Sequence, residues 1–261
     1  MHMIQSEGLR LHVRADGPEQ APALLLLNSL GTDLRMWDAV AADLARDFRV
    51  IRFDKPGHGL SESAPRPFGM EMLARHALAV LDIFDVRCAD ILGLSIGGQI
   101  AMALAEAAPE RVGRLVLSNT AARIGSPEMW TARITALEAG GLAAMADDIL
   151  ERWFPAAWRA AHPAQLAGWR AMLSRCDLQS YLGCCEALAA ADQTRTCRDL
   201  ATQVLTIAGG ADLATPPEVV AATAALIEGA ETALIENAGH LPCVDAPAQY
   251  LALLRSFLLN R

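Results

Sequence analysis

The segment Gly93-Leu94-Ser95-Ile96-Gly97-Gly98 places a serine in Gly-x-Ser-x-Gly spacing. A strand pattern, Asp90–Leu94, precedes the serine and a helix pattern, Ile96–Ala107, follows it. A turn that tight forces its central residue to positive φ, at a cost of about 1–3 kcal/mol. The flanking glycines have no Cβ, so neighbouring backbone can come close. Ser95 then projects from the start of a helix, where unpaired N–H groups and the helix dipole favour negative charge. This is the setting of a nucleophilic serine. The plainer alternative is a Gly-rich turn whose serine caps the helix, and residues further along the chain weigh against it.

A serine hydroxyl is a weak nucleophile at neutral pH and needs a base. His240 lies in Asn237-Ala238-Gly239-His240-Leu241-Pro242, after the last strand pattern and before the terminal helix. Asp212 ends Gly209-Gly210-Ala211-Asp212, one strand earlier. The chain order Ser, acid, His suits a nucleophile on a strand-to-helix turn. His240 is expected to take the serine proton and return it. Asp212 is expected to fix the imidazole tautomer and stabilise the imidazolium. Asp54 reads instead as part of a structural turn, Phe53-Asp54-Lys55-Pro56-Gly57-His58-Gly59, with His58 bonded to backbone. Asp245 lies too near His240 in sequence and reads as an N-cap to the terminal helix. Acyl transfer also needs donors aimed at an oxyanion. The backbone N–H of Ile96 is one candidate, and Leu30, in Asn28-Ser29-Leu30-Gly31, is the other.

These residues require a scaffold that brings loops together. Leu9, Leu11 and Val13 alternate behind a Glu7-Gly8 turn and predict a hairpin arm. Ala23–Leu27, Arg49–Asp54, Asp90–Leu94 and Arg114–Ser118 read as strands. They alternate with helix patterns at Met36–Leu44, Met72–Phe84 and Ile96–Ala107. Such alternation implies a mostly parallel sheet with helices on both faces. Helix patterns alone follow: Glu128–Ala139, Leu142–Phe154, Pro163–Ser174 and Leu178–Ala190. Alternation resumes with Gln203–Ala208, Pro217–Ile227, Thr232–Glu236 and Ala246–Leu259. The expected organisation is an α/β core of residues 1–125 and 199–261 with an all-helical lid of residues 126–198. The lid should lie over the carboxyl edge of the sheet, where open α/β sheets bind ligands.

Composition narrows the function. Of 261 residues 53% are hydrophobic, ample for one large core. The net charge of −8 argues against nucleic acid or an anionic membrane as partner. No apolar run approaches the roughly 18 residues of a membrane span, and no secretory signal is visible at Met1-His2-Met3-Ile4. The six cysteines show no metal-binding spacing and are expected to be reduced and mostly buried, in a cytoplasmic protein. Oligomeric state is left open.

The chain resembles the 3-oxoadipate enol-lactonases, members of the α/β-hydrolase superfamily that act in the β-ketoadipate pathway of aromatic breakdown. The resemblance runs over nearly the whole length. It rests on Asn28-Ser29-Leu30-Gly31-Thr32-Asp33 with Met36-Trp37-Asp38, on Pro56-Gly57-His58-Gly59-Leu60-Ser61, and on the Ser95 turn. It continues through Ser118-Asn119-Thr120-Ala121-Ala122-Arg123-Ile124-Gly125, Trp130-Thr131-Ala132-Arg133-Ile134, Glu151-Arg152-Trp153-Phe154, Cys184-Cys185-Glu186-Ala187-Leu188 and Ala214-Thr215-Pro216-Pro217. Departures are Asn28-Ser29 where the wider superfamily carries His-Gly, Lys55-Pro56 before Gly-His-Gly, and Pro242-Cys243 after His240.

The resemblance implies an α/β-hydrolase fold and an unsaturated lactone substrate with an acetate arm. It implies ring opening through Ser95 to give 3-oxoadipate, with no metal or organic cofactor. An anionic substrate on an acidic protein needs a local cation. The lid offers Arg133, Arg152, Arg170 and Arg175. Arg133 is the first candidate for a bidentate carboxylate clamp, with Trp130 one helical turn earlier on its face. Trp130 and Trp153 are candidates to wall the substrate pocket. Two alternatives stay open: a carboxylesterase or perhydrolase acting on neutral esters, and a ligand receptor that keeps a vestigial triad.

Overall fold

The computed structural model describes residues 2–260. Eight strands form one sheet: β1 (His2–Ser6), β2 (Leu9–Asp16), β3 (Ala23–Leu27), β4 (Arg49–Phe53), β5 (Ala89–Leu94), β6 (Val112–Ser118), β7 (Val204–Gly209) and β8 (Glu231–Ile235). Their spatial order is β1-β2-β4-β3-β5-β6-β7-β8. The hairpin β1–β2 and the β2–β4 pair are antiparallel. All other pairings are parallel. The helices are α1 (Asp38–Leu44), α2 (Met70–Ile83), α3 (Ile96–Ala107), α4 (Pro127–Trp153), α5 (Ala156–Ala161), α6 (Pro163–Ser174), α7 (Leu178–Ala190), α8 (Thr194–Asp199), α9 (Pro217–Ala224), α10 (Pro242–Asp245) and α11 (Pro247–Leu259).

Burial explains why these runs became strands and helices. Every residue of β5 is buried, as are Leu24 to Leu27 of β3. A strand with no solvent-facing side must be covered on both faces. Helices α1 and α11 pack on each other, and α2 packs on α3. In β2 the alternation is that of a strand covered on one face: Leu11 and Val13 are buried while Arg10 and Arg14 are exposed. The sheet is therefore read correctly from the pattern, to within a residue or two at most strand ends.

Differences are confined to short or broken elements. Leu34–Trp37 is a 3-10 turn leading into α1, with Asp33 capping it by accepting the N–H of Arg35 at 3.0 Å. The two predicted helices on either side of Gly140-Gly141 run as one element, α4, kinked where Gly141 takes φ 74°. The short helices α5, α8 and α10 are too brief to show a 3.6-residue period. Five helices, α4 to α8, lie between β6 and β7. Within them α4 packs on both α6 and α7.

The parallel strands share one carboxyl edge. The loops after β3, β5, β6, β7 and β8 carry Leu30, Ser95, Asn119, Asp212 and His240. Register holds the neighbours level, with Leu94 opposite Ser118, Ser118 opposite Ile207 and Gly209 opposite Ile235. Among the described residues no helix is long and apolar enough to cross a membrane.

Candidate active site

Ser95 has φ 59° and ψ −121°, the strained conformation expected of the turn between β5 and α3. The neighbouring backbone leaves no alternative to glycine on either side. A Cβ on Gly93 would collide with the carbonyl of Gly97, and one on Gly97 with the carbonyl of Leu27. The strained turn is held by Ser95 N–H donating to Ser118 O at 3.0 Å and by the Thr120 hydroxyl donating to Ser95 O at 2.7 Å. The strain of about 1–3 kcal/mol is thus offset by the strand β6 and its loop.

His240 Nδ1 lies 2.9 Å from Asp212 Oδ2. Both side chains are almost fully buried. The other contacts of Asp212 are numerous. Oδ1 accepts the N–H groups of Ala214 at 2.7 Å and Thr215 at 3.0 Å. Oδ2 also accepts from Asn119 Nδ2 at 2.9 Å, and the Thr215 hydroxyl lies 2.7 Å away. Burial pushes the Asp212 pKa up, but the charge and hydrogen bond of His240 and the bonds from Asn119 and Thr215 outweigh it, and the net shift is downward. An ionised Asp212 keeps the proton of His240 on Nδ1 and leaves Nε2 able to accept one. Nε2 faces the pocket, 3.4 Å from the Ser29 hydroxyl.

The loop of His240 is pinned from two sides. Its backbone N–H donates to Trp153 O at 2.8 Å, which ties it to the end of α4. Asp245 Oδ2 accepts the N–H of Gly239 at 2.7 Å. Asp245 is therefore not the N-cap of the terminal helix: it ends α10, and Ala246 occupies the cap of α11. The short helix α10, invisible to periodicity, turns the carboxylate back toward the His240 loop. Burial raises the Asp245 pKa to about 6.

Leu30 lines the pocket together with Ser95, and Ile96 follows Ser95 directly. Ile96 is the first residue of α3, so its N–H has no intrahelical acceptor. Among the described residues no acceptor takes the N–H of Leu30. Asn28, in place of histidine, is used structurally. It donates to Phe53 O and accepts from Trp37 Nε1, both at 2.8 Å. His58 does bond to backbone, as the sequence suggests, with Nδ1 2.9 Å from Pro56 O. Asp54 holds the N–H groups of Leu34 at 2.7 Å and Leu60 at 3.0 Å, as expected of a structural turn.

One pocket is lined by Ser29, Leu30, Ser95 and His240 from the sheet loops and by Trp130, Arg133, Arg152, Trp153 and Tyr181 from α4 and α7. Arg133 lies over the Trp130 ring at 5.4 Å and donates to the Tyr181 hydroxyl at 2.7 Å. Its Nε is buried without a partner. Trp130 is fixed by donating Nε1 to Ile124 O at 2.6 Å. Arg152 donates to Leu213 O at 3.2 Å. Its pKa is lowered by burial and then by the charge of Arg133. Among the described residues neither arginine has a carboxylate partner within ion-pair distance. The other two lid arginines do not reach this pocket: Arg170 pairs with Asp147 at 2.9 Å, and Arg175 borders a separate cleft. Sequence reasoning gave no role to Asn119, Thr215 or Tyr181. The first two sit in segments that carry the family resemblance, which is the signal that could have found them. No group of three or more His, Cys, Asp or Glu side chains among the described residues could hold a metal ion. Five of the six cysteines are buried and Cys88 is exposed.

Comparison with known proteins gives a consistent picture. The model of the alpha/beta hydrolase fold matches residues 22–136. The chain is 31% identical over 249 residues to 3-oxoadipate enol-lactonase 2 of Acinetobacter baylyi, covering 95% of this chain and 92% of that one. The crystal structure of the enol-lactonase from Burkholderia xenovorans LB400 superposes with a TM-score of 0.96 at 36% identity, covering 99% of this chain and 100% of that one. A hydrolase from Pseudomonas aeruginosa PA01 superposes with a TM-score of 0.94 at 37% identity, over 98% of this chain and 97% of that one.

Proposed function

This chain belongs to the 3-oxoadipate enol-lactonase family of α/β-hydrolases and is a hydrolase of ester or lactone bonds, and from that premise we propose that it opens the ring of 3-oxoadipate enol-lactone by a serine mechanism. Ser95 attacks the lactone carbonyl while His240 Nε2 takes the hydroxyl proton. The N–H groups of Leu30 and Ile96 receive the oxyanion. Collapse breaks the ring C–O bond and expels an enolate, a better leaving group than a simple alkoxide. The enol stays tethered in the acyl-enzyme. Protonation at carbon gives the ketone, which cannot re-close by the same route. Water, deprotonated by His240, then attacks the ester on Ser95 and releases 3-oxoadipate. Helices α4 to α8 act as the lid, Trp130 and Trp153 wall the ring, and Arg133 receives the acetate arm.

The observation that carries the substrate class is the pair Arg133 and Arg152 on one pocket wall, with no carboxylate within ion-pair distance among the described residues, in a protein of net charge −8. A cation left unpaired at a pocket is costly unless a ligand supplies the anion. Guanidinium binds carboxylate with charge-assisted hydrogen bonds. The test is hydrolysis of enzymatically generated 3-oxoadipate enol-lactone, followed by loss of ultraviolet absorbance, beside p-nitrophenyl acetate. A kcat/KM higher for the lactone by several orders of magnitude is expected. An equal or better simple ester would reduce the reading to an esterase of the same fold.

A further inference from the structure

The loop that carries Leu30 is held by two buried groups that take no part in the hydrolysis as described. Lys55 is the chain's only lysine and is 3% exposed. Its Nζ donates to Ser29 O at 2.5 Å and to Thr32 O at 3.3 Å. The Thr32 hydroxyl shares the Ser29 carbonyl at 2.9 Å. His58 is fully buried, and its Nε2 accepts the N–H of Gly31 at 3.1 Å. Burial, and then the charge of Lys55, push the His58 pKa well below 6.5, so the ring is neutral and can accept at Nε2 while donating from Nδ1.

These contacts bracket one residue. The carbonyl of Ser29 and the N–H of Leu30 are opposite ends of a single planar peptide unit. The N–H of Gly31 belongs to the next unit. Both planes adjoining Leu30 are thus pinned, and its N–H direction is set. Polarisation adds to orientation. A cation bonded to a peptide oxygen draws density toward that oxygen and makes the N–H at the other end a stronger donor. Charge-assisted bonds are about twice as strong as neutral ones. Burial lowers the pKa of Lys55, and the neighbouring Cys184 and Cys176, then Asp54 and Asp33, oppose that shift.

We propose that Lys55 is a positioning residue of the oxyanion hole, whose ammonium orients and polarises the Ser29–Leu30 peptide while His58 fixes the next one. The proposal rests on the reading of Leu30 N–H as an oxyanion donor. It accounts for a buried cation whose hydrogen bonds among the described residues go to backbone carbonyls and which does not line the pocket of Ser95 and His240.

The test uses two ketones of the same alkyl chain. The trifluoromethyl ketone forms a hemiketal oxyanion on Ser95, and the methyl ketone binds without one. Their affinity ratio reads formation of the hemiketal on Ser95, and a variant that leaves Ser95 and His240 in place changes that ratio through the oxyanion hole. Losing one whole oxyanion donor costs about 100–1000-fold; removing its polarising partner in Lys55→Met should lower the ratio about tenfold. The kcat for p-nitrophenyl acetate should fall by a similar factor, with KM and methyl-ketone affinity within about twofold of the parent. A folded Lys55→Met with the parent ratio, alongside an inactive Ser95→Ala, overturns the role of Lys55 and leaves the serine reading standing. A parent enzyme that does not prefer the trifluoromethyl ketone overturns the serine reading itself, and this proposal with it. Should Lys55→Met fail to fold, Lys55→Gln decides the matter, since it keeps a neutral donor for Ser29 O. A ratio lowered about threefold supports a role for the charge, and an unchanged ratio removes it.

Discussion

The two walls of the pocket are finished to different degrees. On the sheet side, Asp212 accepts two backbone N–H groups on one oxygen and three side chains crowd the other. The Ser95 turn and the His240 loop are each fixed by backbone bonds to a neighbouring element. On the helical side, Arg133 has an orphaned Nε, and the hydrogen bond of Arg152 among the described residues goes to a backbone carbonyl. Reaction geometry must be set before substrate arrives, because reorganisation during the step costs rate. Recognition of an anion requires the reverse, donors left open until the ligand fills them. The division predicts that changes on the sheet side lower turnover of every substrate alike, whereas changes on the helical side discriminate between charged and neutral ones.

The largest effect should come from Ser95→Ala, with kcat for lactone and simple ester both reduced by about 10⁴-fold or more. Near-normal kcat on either substrate would break the division at its root. Asp212→Asn should follow, with a loss of about 10³–10⁴ shared equally by both substrates. A loss confined to one of them would place Asp212 among recognition residues instead. Arg152→Ala should raise KM for the lactone by about tenfold and leave p-nitrophenyl acetate unchanged, in steady-state assays run side by side.

Asp245 sharpens the comparison, because it is the unfinished group of the sheet side. Its Oδ1 is buried without a partner and its pKa is raised to about 6. Between its ordinary value of 3.8 and about 6 the folded protein keeps a proton that the unfolded chain has released. Stability is therefore lost as pH rises through that window. In urea unfolding, Asp245→Asn should gain roughly 1–3 kcal/mol relative to the parent between pH 4 and pH 7.5. A difference independent of pH would mean that the carboxyl titrates normally.

The sequence reveals the sheet side more fully than the helical side, for a physical reason. Strand ends are marked by local chemistry: glycines that a collision enforces around Ser95, and a Gly-Gly or Ala-Gly approach before Asp212 and His240. The support shell is not local. Asn119 meets Asp212 only because β6 and β7 pair in register, across 93 residues of sequence. Lys55 and His58 likewise meet the Leu30 loop only once β3 and β4 are neighbours. Asp245 reads as a cap in the sequence because α10 is four residues long and leaves no periodic trace. In the helical region the periods of α4, α6 and α7 are visible, but not which faces meet. Trp130 and Arg133 are legible as neighbours on α4, while Tyr181, which holds Arg133 from α7, is not.

The discrimination ratio, kcat/KM for 3-oxoadipate enol-lactone over kcat/KM for p-nitrophenyl acetate, measured in the parent and in Arg133→Ala, tests the division most directly. Removing a charge-assisted clamp should cost the lactone about 10–100-fold, mostly in KM. The ester should be unaffected, so the ratio should fall by that factor. Equal losses on both substrates, or none on either, would contradict the assignment of anion recognition to the helical wall.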